Sequence, residues 1–188
     1  MITIVSGIPR SGTSLMMQMI AAGGMAVLTD SQRNADANNP RGYYELESVK
    51  TLARNPDAIA EGEGKAVKVI SSLLTFLPNR HDYRVIFMCR PLDEVLASQD
   101  RMMQRLGRVV PPAPTESVKG AFEQHILQMR SWLAAQPNMA VLYVEYGAVV
   151  RDAHTEASRI KAFLGLDLDV EAMALQVEQS LYRERSSG

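Results

Sequence analysis

A short apolar run that ends in a glycine-bounded loop constrains this chain more than any other feature. Residues 2–6, Ile-Thr-Ile-Val-Ser, are rich in β-branched side chains and give way to Gly7 and Pro9, which predicts a fully buried strand. Residues 14–22, Ser-Leu-Met-Met-Gln-Met-Ile-Ala-Ala, predict a helix closed by Gly23 and Gly24. Between them lies Gly7-Ile8-Pro9-Arg10-Ser11-Gly12-Thr13-Ser14. Such a loop turns backbone N–H groups toward an anion, and the helix N-terminus adds its partial positive charge. The two glycines have the spacing of a Walker loop, G-x-x-x-x-G-K-[ST]. Ser14 keeps the final hydroxyl. Thr13 stands where that motif carries lysine, and the only cation is Arg10, in the middle of the loop.

Strand and helix signals alternate beyond this unit. Residues 66–70 (AVKVI), 83–89 (YRVIFMC) and 139–145 (MAVLYVE) predict further strands, with a short SLLTFL helix between the first two. Helices are predicted over 91–106, where Pro91 takes the first position, and over 115–136. Ala153, Ala157, Ile160 and Leu164 mark another helix face, stopped by Gly165. Residues 30–42 and Pro-Pro-Ala-Pro at 111–114 read as loops, with helix resuming near Glu45. The pattern predicts an α/β fold: a three-layer arrangement of a parallel sheet flanked by helices. It forms one domain over 1–180, followed by a polar tail at 181–188.

Composition removes several function classes. At 188 residues, 46% hydrophobic and 22% charged, the chain can bury one sizeable core. Twenty Lys and Arg against 21 Asp and Glu leave a net charge of −1, so no global field holds nucleic acid or an anionic membrane. Anion recognition must be local. Cys89 is the single cysteine, so no internal disulfide forms, and three histidines supply a structural zinc site poorly. The uncharged stretch from Ser11 to Thr29 is broken by Gln18, Gly23 and Gly24, which predicts a buried helix rather than a signal or a membrane span. A cytoplasmic location is the expectation.

Arg90 ends the 83–89 strand, and Ser98 lies eight positions further on in the Pro-started helix. In open α/β sheets ligands sit outside the carboxyl ends of strands, so Arg90 and Arg10 are expected at one edge. A structural alternative pairs Arg90 with Asp93 or Glu94. Glu145, at the end of the 139–145 strand, leaves a Walker-B role open. Together these residues resemble sulfotransferases that use 3′-phosphoadenosine 5′-phosphosulfate (PAPS). That family's 5′-phosphosulfate loop is similar to Pro9-Arg10-Ser11-Gly12-Thr13-Ser14. Its strand-ending Arg and helical Ser correspond to Arg90 and Ser98, with the spacing intact. A looser likeness covers residues 142–166, with their acid/aromatic pair and terminal Phe-Leu-Gly-Leu.

The resemblance implies a P-loop NTPase-like sulfotransferase fold and transfer of a sulfuryl group from PAPS to a hydroxyl, less readily an amine. The product would be 3′-phosphoadenosine 5′-phosphate, and no metal would be required. Pro9, Arg10, Ser11, Gly12, Thr13 and Ser14 would hold the 5′ end of the donor; Arg90 and Ser98 would hold its 3′-phosphate. Residues 39–45 resemble a bacterial segment that leads an acid toward the active site, which makes Glu45 the candidate base. The alternative is an acid in a helix's first turn. Lys68 is unusual inside an apolar strand and either reaches the sulfonate or snorkels to the surface. Arg10, Glu45 and Lys68 are thus the catalytic candidates. The chain is short for the family, so the acceptor site is reduced or borrowed from a partner, and a homo-oligomer stays open.

A small molecule, sugar or peptide acceptor is expected. Two other functions remain: a degenerate nucleotide-binding module without turnover, and a small P-loop kinase or NTPase, which Thr13 disfavours. His81 falls at the edge away from the expected site, and His154 reads as solvated. His125 shares a core-like spacing with Val118, Phe122 and Met129 and reads as a packed histidine. Arg183 and Arg185 read as a frayed tail rather than donor ligands. Met16, Met17, Met19, Met102 and Met103 read as helix-packing residues, with a flexible apolar acceptor pocket as the secondary reading.

Overall fold

The computed structural model describes residues 1–30, 44–107 and 115–177. Its centre is β1 (Ile2–Gly7), in which every residue is buried. Around it the sheet runs β2 (Val27–Leu28), β3 (Ala66–Lys68), β1, β4 (Tyr83–Cys89), β5 (Met139–Glu145), and every pair is parallel. Parallel sheets need cover on both faces, and alternate side chains supply it. Ile2, Ile4, Val85 and Phe87 point to one side, against Leu74, Met129 and Leu133. Val5, Ile86, Met88 and Val144 point to the other, against Met16, Met17, Met19 and Ile20 of α1 (Thr13–Ala22).

The remaining helices are α2 (Leu92–Arg105), α3 (Thr115–Ala134), α4 (Tyr146–Arg151), α5 (Ala153–Leu164) and α6 (Val170–Ala174). α4, α5 and α6 cover the α1 face of the sheet through Val149, Ala157, Ile160, Leu164 and Met173. α3 and the 3₁₀ segments at Glu47–Thr51, Pro56–Gly62 and Ser71–Phe76 cover the opposite face. This is the three-layer α/β architecture expected from the sequence.

Several local expectations change. β3 ends at Lys68 rather than at residue 70, although Val69 N still donates to Val5 O at 3.0 Å. The segment after Glu45 is 3₁₀ rather than α-helical, and Asp30 Oδ2 accepts from Glu47 N at 2.6 Å as it begins. SLLTFL is likewise 3₁₀. On α2, Glu94, Val95 and Ser98 point inward, while Met102 and Met103, expected as helix-packing residues, are half-exposed and Leu106 is 52% exposed. Residues 39–43, 111–114 and 181–188, with Arg183 and Arg185, lie outside the described residues. Among the described residues, no helix is long and apolar enough to cross a membrane.

Strand register positions the site. Val5 lies opposite Lys68, Gly7 opposite Met88, and Cys89 opposite Glu145, so the strands finish nearly flush. The loop after β1, Lys68, Arg90 and the start of α4 therefore share one edge.

At the opposite edge Tyr83 is 2% exposed and donates to Pro78 O at 2.9 Å. Burial pushes its phenol from 10.0 to about 12, partly countered by Arg80. The unfolded chain therefore ionises Tyr83 first, and its stabilising contribution is complete below about pH 10 and lost as pH rises toward 12. Denaturant titrations from pH 9 to 12 should show a shallower alkaline fall for Tyr83→Phe than for the parent; parallel curves would rule out this contribution.

Candidate functional site

The loop after β1 is shaped by three left-handed or near-mirror residues: Gly7 at φ 150°, Arg10 at φ 71° and Gly12 at φ 104°. A Cβ at Gly7 would strike Ser11 Oγ and approach Met88 O to 2.8 Å. A Cβ at Gly12 would run into the Tyr146 ring. Only glycine lets this loop pack so tightly and still present its N–H groups. Arg10 has no such freedom, and a non-glycine residue held there costs about 1–3 kcal/mol. Arg90 offsets the cost, because its Nη1 donates to Arg10 O at 3.2 Å. Gly12 is the N-cap of α1, no side chain caps it, and no acid lies in the first turn. The positive end of that helix is left available to an anion.

The two halves of the expected donor site touch. Arg10 Nε donates to Ser98 Oγ at 3.0 Å, joining the loop to α2 across 88 positions of sequence. Arg90 is 7% exposed, donates from Nε to Glu94 Oε2 at 3.0 Å, and stacks its guanidinium over Tyr146 with 4.5 Å to the ring centroid. The structural pairing of Arg90 is thus with Glu94 rather than Asp93, and the same guanidinium braces the loop. Burial raises the Tyr146 phenol, against a lowering by Arg90. Tyr146 stays neutral and serves as a wall between Arg90 and Gly12.

Lys68 resolves toward the site. Its side chain is 9% exposed, and Nζ donates to Ser14 Oγ at 3.1 Å and lies 3.7 Å from Glu45 Oε1. Glu45 is delivered by the end of β2, where Thr29 Oγ1 and Asp30 N donate to its carbonyl at 2.9 and 3.3 Å. Tyr44 before it takes φ 52°. The sequence-predicted residues thus fall into two contact groups at the same edge of the sheet: Arg10, Arg90 and Ser98, and Ser14, Lys68 and Glu45. Pro9 is exposed, Thr13 is buried, and Ser11 is fully buried with an Oγ that has no hydrogen-bond partner among the described residues.

Other candidates fall elsewhere. Glu145 is exposed and interacts with Cys89, away from the loop, whereas Tyr146 packs on Gly12. His81 precedes β4 at the far edge, and His154 is solvated, 3.8 Å from Glu171. His125 is not in the core: it is half-buried, with Nε2 2.8 Å from Ser71 Oγ, and it lines a cavity beside Ile8 and Pro9. Its helical spacing suggested packing because Met129, on the same face, is packed. Glu94 and Tyr146 were also missed as site residues. The Arg90–Glu94 spacing of four and the position of Tyr146 just beyond β5 were the available signals.

The sulfotransferase domain family matches residues 2–187. The chain belongs to this sulfotransferase family. A solved structure described as a sulfotransferase domain from the curacin biosynthetic pathway shares the fold, with a TM-score of 0.54 and 17% identity over 100% of this chain and 92% of that one. No curated protein matches the chain. The sulfotransferase fold thus carries its basic cluster at the carboxyl edge of the sheet, with Arg10, Lys68 and Arg90 on three different segments.

Proposed function

We propose that this chain transfers a sulfuryl group from PAPS to an acceptor hydroxyl. The observation that carries the reading is the contact of Arg10 with Ser98 and of Arg90 with the Arg10 carbonyl. These join a loop suited to a 5′ phosphosulfate with a pair suited to a 3′-phosphate. Tight Gly7 and Gly12 turns, an uncapped α1 and three basic side chains at one sheet edge fit a nucleotide with an anionic group at each end.

The donor supplies the sulfuryl group. The protein's task is to orient it and to stabilise the charge that grows on the leaving phosphate oxygen. α1 and the loop offer N–H groups, Lys68 sits at Ser14, and Arg10 spans the loop and α2. Glu45, across from Lys68, takes the proton of the acceptor hydroxyl. Cations here occupy the place that a Walker enzyme gives to its lysine and Mg²⁺.

Calorimetry with 3′-phosphoadenosine 5′-phosphate and with ATP, each with and without Mg²⁺, tests the reading. The bisphosphorylated nucleotide should bind equally well in both conditions. Arg10→Ala should weaken it about ten-fold or more, the equivalent of roughly 1.5–3 kcal/mol for a charged hydrogen bond. Ser98→Ala should weaken it while leaving adenosine 5′-phosphate nearly unaffected. Preferred, Mg²⁺-dependent ATP binding would point to phosphoryl chemistry instead. Nucleotide binding with no turnover across alcohols and amines would point to a binding module.

A further inference from the structure

The face of α3 that packs beneath the sheet continues past the sheet's edge. Met129 and Leu133 are buried under the strands. Val118, Ala121, Phe122 and His125, at helical spacing on the same face, instead line a cavity of about 370 Å³. Ile8 and Pro9 of the anion loop form its other wall, and Ile70–Ser72, just beyond β3, close it. Among the described residues, neither a fixed charge nor a methionine lines it. Its volume lies at the small end of the range of roughly 300–1,000 Å³ for small-molecule sites.

The cavity adjoins the chemistry through the chain itself. Pro9 precedes Arg10, and Ile70 is two residues beyond Lys68. The wall carries polar groups in one corner, where Ser71 Oγ and His125 Nε2 are 2.8 Å apart and Ser71 is 2% exposed. A body bearing many hydroxyls would leave most of them unpaired against Ile8, Phe122 and Val118, at a cost for each. A compact apolar body bearing one hydroxyl loses nothing there.

We infer that this cavity is the acceptor subsite and that it takes an uncharged alcohol or phenol with a compact apolar body, its hydroxyl held by the Ser71–His125 pair. The inference rests on the sulfuryl-transfer reading for its chemistry, but the occupancy of the cavity is measurable on its own. Sugars and peptides, open from sequence, are then poor acceptors.

The test uses 2-naphthol as an apolar probe and N-acetylglucosamine as a polar one, each titrated by fluorescence or NMR with and without saturating 3′-phosphoadenosine 5′-phosphate. Ala121→Trp fills the cavity, and Val118→Arg places a charge in its wall. Both should raise the dissociation constant for 2-naphthol at least ten-fold and leave nucleotide affinity unchanged, which also reports intact folding. His125→Phe should weaken 2-naphthol and reduce its advantage over naphthalene. Naphthol binding unchanged in Ala121→Trp and Val118→Arg, or tighter binding of the sugar, would overturn the inference. Failure of the nucleotide to bind the parent protein would remove the donor reading instead, while the nucleotide-free naphthol titrations still decide the cavity.

Discussion

Arg90→Ala is expected to destabilise the protein by about 3–5 kcal/mol, the usual result of breaking one side of a buried ion pair. Arg90 and Glu94 are 7% and 2% exposed, so the substitution strands a carboxylate that water barely reaches. It also removes the donor that holds the Arg10 carbonyl and the cation stacked on Tyr146. Stability and nucleotide binding should therefore fall together, and the single variant alone cannot separate them. Replacing both partners does. Arg90→Met with Glu94→Met removes the uncompensated charge and should recover more than half of the lost stability, since apolar residues of similar volume often replace a buried pair at little cost. It should still fail to bind 3′-phosphoadenosine 5′-phosphate. Denaturant unfolding and calorimetry on the three proteins check this. If Arg90→Ala is as stable as the parent, the buried pair carries no structural weight.

That double role marks where sequence reading succeeds and where it stops. The β1–loop–α1 unit was legible because each of its signals is local: β-branched residues, glycines at a fixed spacing, and a helix start. Parallel pairing and the gathering of site residues at the carboxyl edge followed from the alternation of strands and helices. β2 was invisible, since Val27 and Leu28 are too few to show a period and join the sheet by pairing with β3. α4 was missed because no glycine or proline separates it from β5; the chain passes directly from Glu145 into Tyr146. His125 was misread for a physical reason. Helical periodicity shows that a face is apolar, but not whether protein or a cavity lies against it. The choice between Asp93 and Glu94 as Arg90's partner, too, depended on α2 turning Glu94 inward and leaving Asp93 exposed.

Lys68→Met should lower kcat by about 10²–10³, the loss typical when one preorganised donor to a developing oxyanion is removed. Methionine keeps the length and apolar stem of a side chain that is 9% exposed, so the fold should survive. What disappears is the charge beside Ser14, at the N-terminal turn of α1. Glu45→Gln tests the neighbouring role. If Glu45 accepts the acceptor proton, its amide isostere should keep donor affinity and lower kcat by about 10²–10⁴. The residues lie 3.7 Å apart, close enough to couple, so the double variant is needed to apportion their effects. If Glu45 instead serves only to orient Lys68, Glu45→Gln should lose little in the Lys68→Met background and only modestly more on its own. If it is the base, a large loss should persist in both backgrounds. Single-turnover transfer to an acceptor that the parent enzyme uses, measured across the four proteins of this cycle, separates the outcomes. Near-full turnover in Lys68→Met would detach β3 from the chemistry and leave charge stabilisation to Arg10 and the amide groups of α1.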